Sequence, residues 1–203
     1  AAVDALLKAG ADPNRGGTYG PFGSLISDSP ISLAAQKGDA AVVDALLKAG
    51  ADPNRGLTVG PFGSLYRKSP IWEAVNNSDA AVVDALLKAG ADPNRGVTVG
   101  PFGSLYSESP IFKAVWSGDD AAVDALLKAG ADPNRGVALG PFSLLSPMQV
   151  AAGNPPIAAA LLKAGAERHD ELRFLVRYFF FCCFLVTFFW FLLPRALVRR
   201  RQH

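Results

Sequence analysis

The sequence predicts an all-α repeat solenoid of stacked helix pairs joined by long β-hairpin fingers, followed by one transmembrane helix. Three observations lead there. The phrase DALLKAGADPNRG stands at residues 4–16 and returns at 44–56, 84–96 and 124–136, a period of 40. Self-similarity at such a period marks units that bury their apolar faces against one another rather than around one centre. Inside each unit the apolar residues recur at helical spacing, with capping residues ahead of them and glycine behind. Finally, residues 178–193, YFFFCCFLVTFFWFLL, form an apolar run without a single charge.

Residues 69–90, SPIWEAVNNSDAAVVDALLKAG, show how one unit works. Ser69 is suited to cap a helix, and Pro70 to occupy its first position, where no N–H is needed. Ile71, Ala74 and Val75 then share one face of a helix of about two turns. Asn77-Ser78 interrupts it and Asp79 caps a second helix, on which Val82, Val83, Leu86 and Leu87 form one stripe. Gly90 supplies the left-handed residue that ends it. Starts at Ser29, Ser69, Ser109 and Ser146 give four helix pairs, preceded by a lone second helix at 1–9. The array therefore covers 1–166: a partial unit at 1–14, full units from about 29, 69 and 109, and a shorter last unit from 146.

The repeated phrase is the second helix with its exit turn. Asp52 and Asn54 are expected to bond the local backbone there. The D-x-N-x-G order also opens a calcium loop, but the fifth and twelfth positions are Gly56 and Gly63, which bring no side-chain oxygen. No metal, cofactor or catalytic site is expected.

SPISLAAQKGDAAVVDALLKAGADPN (29–54) resembles the ankyrin repeat, whose pattern runs Thr-Pro-Leu-His-x-Ala-Ala, a glycine turn, and a Val/Leu helix ending Gly-Ala-Asp-x-Asn. The resemblance covers 1–166. It departs where Ser32, Trp72, Phe112 and Gln149 fill the His position, and in its period of 40 against the family's ~33 residues. The resemblance implies a protein-binding array whose fingers and first helices line the gripping face.

The added length lies between Asn54 and Ser69. LTVGPFGSLY (57–66) reads as a lengthened hairpin around Gly60-Pro61-Phe62-Gly63, and stacked units should set such fingers side by side. Phe22, Phe62, Phe102 and Phe142 would then sit near the tips, each packed on the neighbouring finger. The last finger, 135–146, is three residues shorter.

Copies within one chain can be compared directly. The second helices barely differ, whereas differences gather in the fingers and first helices. Tyr66 and Tyr106 vary against Ile26; Gln36-Lys37, Asn76-Asn77 and Trp116-Ser117 vary at the first-helix ends; Leu33, Glu73 and Lys113 share an earlier slot. We take Gln36, Lys37, Tyr66, Glu73, Asn76, Asn77, Tyr106, Lys113 and Trp116 as candidate partner-binding residues. Trp116 is the expected anchor, because exposed Trp is enriched where binding energy concentrates. Trp72 and Phe112, one residue after the buried Ile, should pack between repeats.

Several functional classes find little support. Residues 167–203 hold seven Arg against three acids, so the rest of a chain of net charge +2 sums to −2, with no basic stripe for nucleic acid. His169 and His203 belong to no catalytic motif, and no nucleophile elbow, phosphate loop or zinc spacing occurs. The cysteines, Cys182 and Cys183, are adjacent and lie in the apolar run, which fits a reducing compartment.

The tail divides into a charged juxtamembrane linker (167–177), a transmembrane helix (174–193) and a basic tail (194–203). Twenty residues of helix span about 30 Å, the hydrocarbon thickness. Arg177 is placed to snorkel, and Tyr178 and Trp190 to sit near the interfaces. The expected topology is a single-pass C-terminal anchor in membrane lipid with the repeats cytosolic, in the mitochondrial outer membrane or endoplasmic reticulum. Lys/Arg counts tie at four on each side of the run, so orientation rests on the cysteine-free array. The chain opens inside a repeat without Met, so further sequence is expected upstream. The expected function is a membrane-tethered, non-catalytic interaction module. The alternative is the C-terminal fragment of a larger regulatory or channel-type membrane protein in which the repeats are accessory.

Overall fold

A computed structural model of the chain describes residues 2–19, 26–60, 66–100, 105–139 and 142–167, with the backbone alone for 142–144. The fingertips with Phe22, Phe62 and Phe102, the side chain of Phe142, and everything from residue 168 on, including 174–193, lie outside this description. No helix among the described residues is long and apolar enough to cross a membrane.

Two kinds of helix alternate along the chain. The second helices are α1 (Ala2–Lys8), α3 (Ala40–Lys48), α5 (Ala80–Lys88), α7 (Asp120–Lys128) and α9 (Pro155–Lys163). The first helices are α2 (Pro30–Lys37), α4 (Pro70–Asn76), α6 (Pro110–Ser117) and α8 (Pro147–Val150), the last prolonged by a 3₁₀ turn at Ala151–Gly153. Each first helix starts as its sequence implies. Ser29, Ser69, Ser109 and Ser146 accept the amide N–H three residues on, and proline follows in the first helical position. Asp39, Asp79 and Asp119 cap the second helices in the same way.

First helices pack in one row and second helices in another. Ile31, Ile71 and Ile111 face Val43, Val83, Val123, Leu46, Leu86 and Leu126 in a single continuous core. Burying each such side chain stabilises the fold by about 1.5–3 kcal/mol. In α1, Val3 and Leu7 pack on this core while Leu6 is exposed.

The fingers change the fold class. Strands β1 (Thr18–Tyr19), β2 (Ile26–Ser27), β3 (Leu57–Val59), β4 (Tyr66–Lys68), β5 (Val97–Val99), β6 (Tyr106–Glu108), β7 (Val137–Leu139) and β8 (Phe142–Leu145) pair antiparallel in chain order. They form one eight-stranded sheet running alongside the helices. The expectation of an all-α solenoid is thus corrected to a helix-and-hairpin solenoid, because neighbouring fingers close their edges on each other. Thr58 pairs with both Ser27 and Arg67, so one register carries from finger to finger. Only the shortened last finger slips, with a bulge at Val137/Ala138.

The exit turns also differ from expectation. Asp52 does bond locally, accepting the Asn54 amide at 2.8 Å. The Asn54 side chain instead reaches the next unit: its Oδ1 accepts from the Asp92 amide at 2.8 Å and its Nδ2 donates to the Gly90 carbonyl. Asn14 and Asn94 repeat that bridge to Asp52 and Asp132, and Asn134 makes it to Glu167. A short amide side chain at this point can satisfy both a donor and an acceptor of the adjacent turn, which a purely local bond would leave open.

Candidate functional site

The candidate residues fall on two adjoining surfaces. The first is the exposed side of the first helices. Trp116 is 62% exposed and its ring stacks on that of Phe112, with centroids 6.1 Å apart. Phe112 itself is buried, as its position after Ile111 leads one to expect. Gln36, Asn76 and Trp116 occupy equivalent exposed positions on α2, α4 and α6, with Lys37 and Asn77 beside the first two. Asn77 also serves the scaffold, since its Nδ2 donates to the Gln36 carbonyl at 2.7 Å and joins two units.

The second surface is one face of the sheet. Side chains alternate along a strand, so Tyr66 and Lys68 point to one side and Arg67 to the other. Lys68 Nζ lies 2.7 Å from Glu73 Oε1 and 5.1 Å from the Trp72 ring centroid, both on α4. The Tyr66 side of the sheet therefore looks toward the first helices. Tyr106 is its counterpart one finger on, half-buried, and its hydroxyl donates to Glu108 Oε2. Burial pushes the Tyr106 phenol pKa well up, and Glu108 adds to the shift by hydrogen bond and charge.

Glu73 is the candidate that the structure moves. The expectation placed it in an open slot with Leu33 and Lys113, but it is 2% exposed and ion-paired with Lys68. A carboxylate at this depth needs a cation, and the finger of the same unit delivers one. Nothing in the sequence marks the pair, since Leu33 and Lys113 in the same slot point to an open position. Lys113 is half-buried; its Nζ reaches back over the Trp72 ring of the preceding unit, 5.9 Å from the centroid. Trp72 thus packs between units beneath two cations. Its Nε1 is buried without a hydrogen-bond partner among the described residues.

Asp28, the residue equivalent to Lys68, is also half-buried. Desolvation raises its carboxyl pKa, opposed by the Ser29 amide, a bond with Ser32 and the charge of Lys68.

Four glycines escaped the sequence argument. A Cβ on Gly56 would stand 1.8 Å from the Lys68 carbonyl oxygen, and Gly16, Gly96 and Gly136 face the same obstacle. The phrase therefore ends on glycine because the returning strand of the finger crosses there.

The sequence itself ties this array of capped helix pairs, fingers and Asn-bridged turns to a family. A sequence model described as ankyrin repeats (3 copies) matches residues 31–137. The chain belongs to the ankyrin-repeat family. No curated protein matches it. Ankyrin repeats generally mediate protein–protein interaction, and ankyrin-repeat domains are typically non-catalytic binding modules. A protein partner follows for this one at that level.

Proposed function

We propose that this ankyrin array is a membrane-tethered interaction module that holds a protein partner against its first-helix face and the adjoining side of its sheet. The observation that carries the reading is Trp116. A large aromatic, 62% exposed and steadied by stacking on buried Phe112, is the kind of side chain that anchors interfaces. Around it the copies differ from unit to unit, whereas the second helices repeat almost letter for letter. Glu73 enters this reading as the group that holds Lys68 in place, and the other candidates as contact residues.

The tether is the uncharged run within 174–193, with the repeats in the cytosol at the mitochondrial outer membrane or endoplasmic reticulum. Its apolar composition and the absence of cysteines from the array support this arrangement.

A photo-crosslinking residue placed at position 76 or 117 should capture partner protein in cells, and one at position 48 or 88 on the second helices should not. Capture from the second-helix positions alone would assign the working face elsewhere. Carbonate washing tests the tether: release of the protein from membranes removes it.

A further inference from the structure

The charges of the first-helix face narrow what it can hold, an inference that rests on the face proposed above. The first helices carry one acidic side chain, Glu73, and it is buried against Lys68. The carboxylates at the margins keep their charge but accept hydrogen bonds within the fold, Asp28 from the Ser29 amide and Asp120 from the Asn154 side chain. Asp39, Asp79 and Asp119 cap the second helices, and Glu108 accepts the Tyr106 hydroxyl. Two lysines have no such match among the described residues. Lys37 is exposed at the end of α2, and Lys113 on α6 meets only the Trp72 ring. Beside them on the same helices and on α4 stand the amides of Gln36 and Asn76 and the indole of Trp116. An amide side chain offers one donor group and one acceptor, the pair that a peptide backbone needs.

Spacing sets the length. Packed helices lie 8–10 Å apart, so from α2 to α6 is about 20 Å. An extended chain covers that in about six residues. We propose that this face takes an extended acidic peptide of a partner protein. Two carboxylates at most about six residues apart, since Lys113 Nζ reaches back over Trp72, meet Lys37 and Lys113, and an apolar side chain next to the second carboxylate packs on Trp116. Complementary charge of this kind sets which partner docks and speeds its arrival.

The test uses the full chain in detergent and three fluorescent nonapeptides. Each has Phe at its seventh position and, at its second and eighth, Glu, Gln or Lys. The acidic peptide should bind at least tenfold more tightly than its Gln twin at low salt, the gap closing in 0.5 M salt, where the Debye length is only about 4 Å. Lys113→Gln should remove about fivefold of that preference and leave the Gln peptide unaffected. Trp116→Ala should weaken both. Equal binding of the Glu and Gln peptides, preference for Lys, or no binding at all overturns the acidic assignment. If the peptides bind equally and Trp116→Ala still weakens them, the face stands and only the acidic partner falls. If the acidic peptide ignores Trp116→Ala but is lost with Lys48→Gln, the face itself is wrong.

Discussion

Asn54 Oδ1 accepts the backbone N–H of Asp92 at 2.8 Å, across 38 residues of sequence. The same bridge recurs one unit earlier and one later, so the turns form a row of amide clamps beside the helices. Replacing Asn54 with Ala should lower stability by about 1 kcal/mol, as a partly solvated hydrogen-bond pair implies. Asn54→Asp, which can accept from Asp92 but cannot donate to the Gly90 carbonyl, should fall between. Urea unfolding monitored by circular dichroism reads both, and equal stability of all three proteins would empty the clamp of weight.

Gly96 and Gly90 separate two reasons for glycine. Gly90 has φ +88° with open space around it, so Gly90→Ala should cost about 1–2 kcal/mol for left-handed backbone. At Gly96 a Cβ would lie 1.8 Å from the Glu108 carbonyl oxygen. Gly96→Ala must displace the finger, so its loss should exceed that at Gly90 and extend to finger amides in hydrogen exchange.

Ser78 stands where the other units have Gly38 and Gly118, and it carries the left-handed backbone alone, with φ +55°. Ser78→Gly relieves about 1–2 kcal/mol of strain. It returns about 0.5–1 kcal/mol through the freer unfolded chain. A net gain of about 0.5–1 kcal/mol in thermal or urea unfolding is expected, one of the few substitutions in this array that should stabilise.

The Lys68–Glu73 pair invites a double-mutant cycle. Lys68 keeps some solvent contact while Glu73 has almost none, so Lys68→Met, which strands the buried carboxylate, should cost more than Glu73→Gln. Each single change leaves a charge poorly matched, at about 1–3 kcal/mol once the exposure of Lys68 is discounted. The double variant should lose clearly less than the sum. Strict additivity would mean the two groups do not sense each other.

Asp28 gives a pH signature. Its folded pKa is raised, chiefly by burial. The stability it contributes is therefore present below the unfolded value of 3.8 and lost as pH rises through the folded one. Asp28→Asn keeps an oxygen for the Ser29 amide and removes the buried charge. The variant should gain stability over the parent as pH climbs from about 3.5 to 7, measured by urea midpoints.

Much of this was legible in the sequence because capping and burial are local. Ser69, Pro70 and Asp79 mark helix starts by chemistry alone, and Ile71, Ala74, Val75, Val82, Val83 and Leu86 mark the core by spacing. The misses are contacts across units or fingers. The side-chain bonds of Asn54 need the next turn in place, Gly56 needs the returning strand, and Glu73 needs Lys68 from its own finger. Periodicity says which unit neighbours which, but not which atoms meet. The candidate surface stood between these cases. Trp116 was visible as an odd letter in a repeated slot, whereas its stacking on Phe112 and the inward turn of Tyr66 depend on helix and sheet packing.

The two flanks of the array obey different grammars. On the outer flank the units before the last present nearly the same helix and the same clamp, so any of them could follow any other. On the inner flank Lys113 lies over Trp72 and Asn77 reaches the carbonyl of Gln36, each contact joining residues found in one unit only. An array with its units permuted would keep its turns and its core yet lose these joints. The chain is thus interchangeable in how it folds and ordered in what it displays, and a new surface could be composed by rearranging units without redesigning the scaffold.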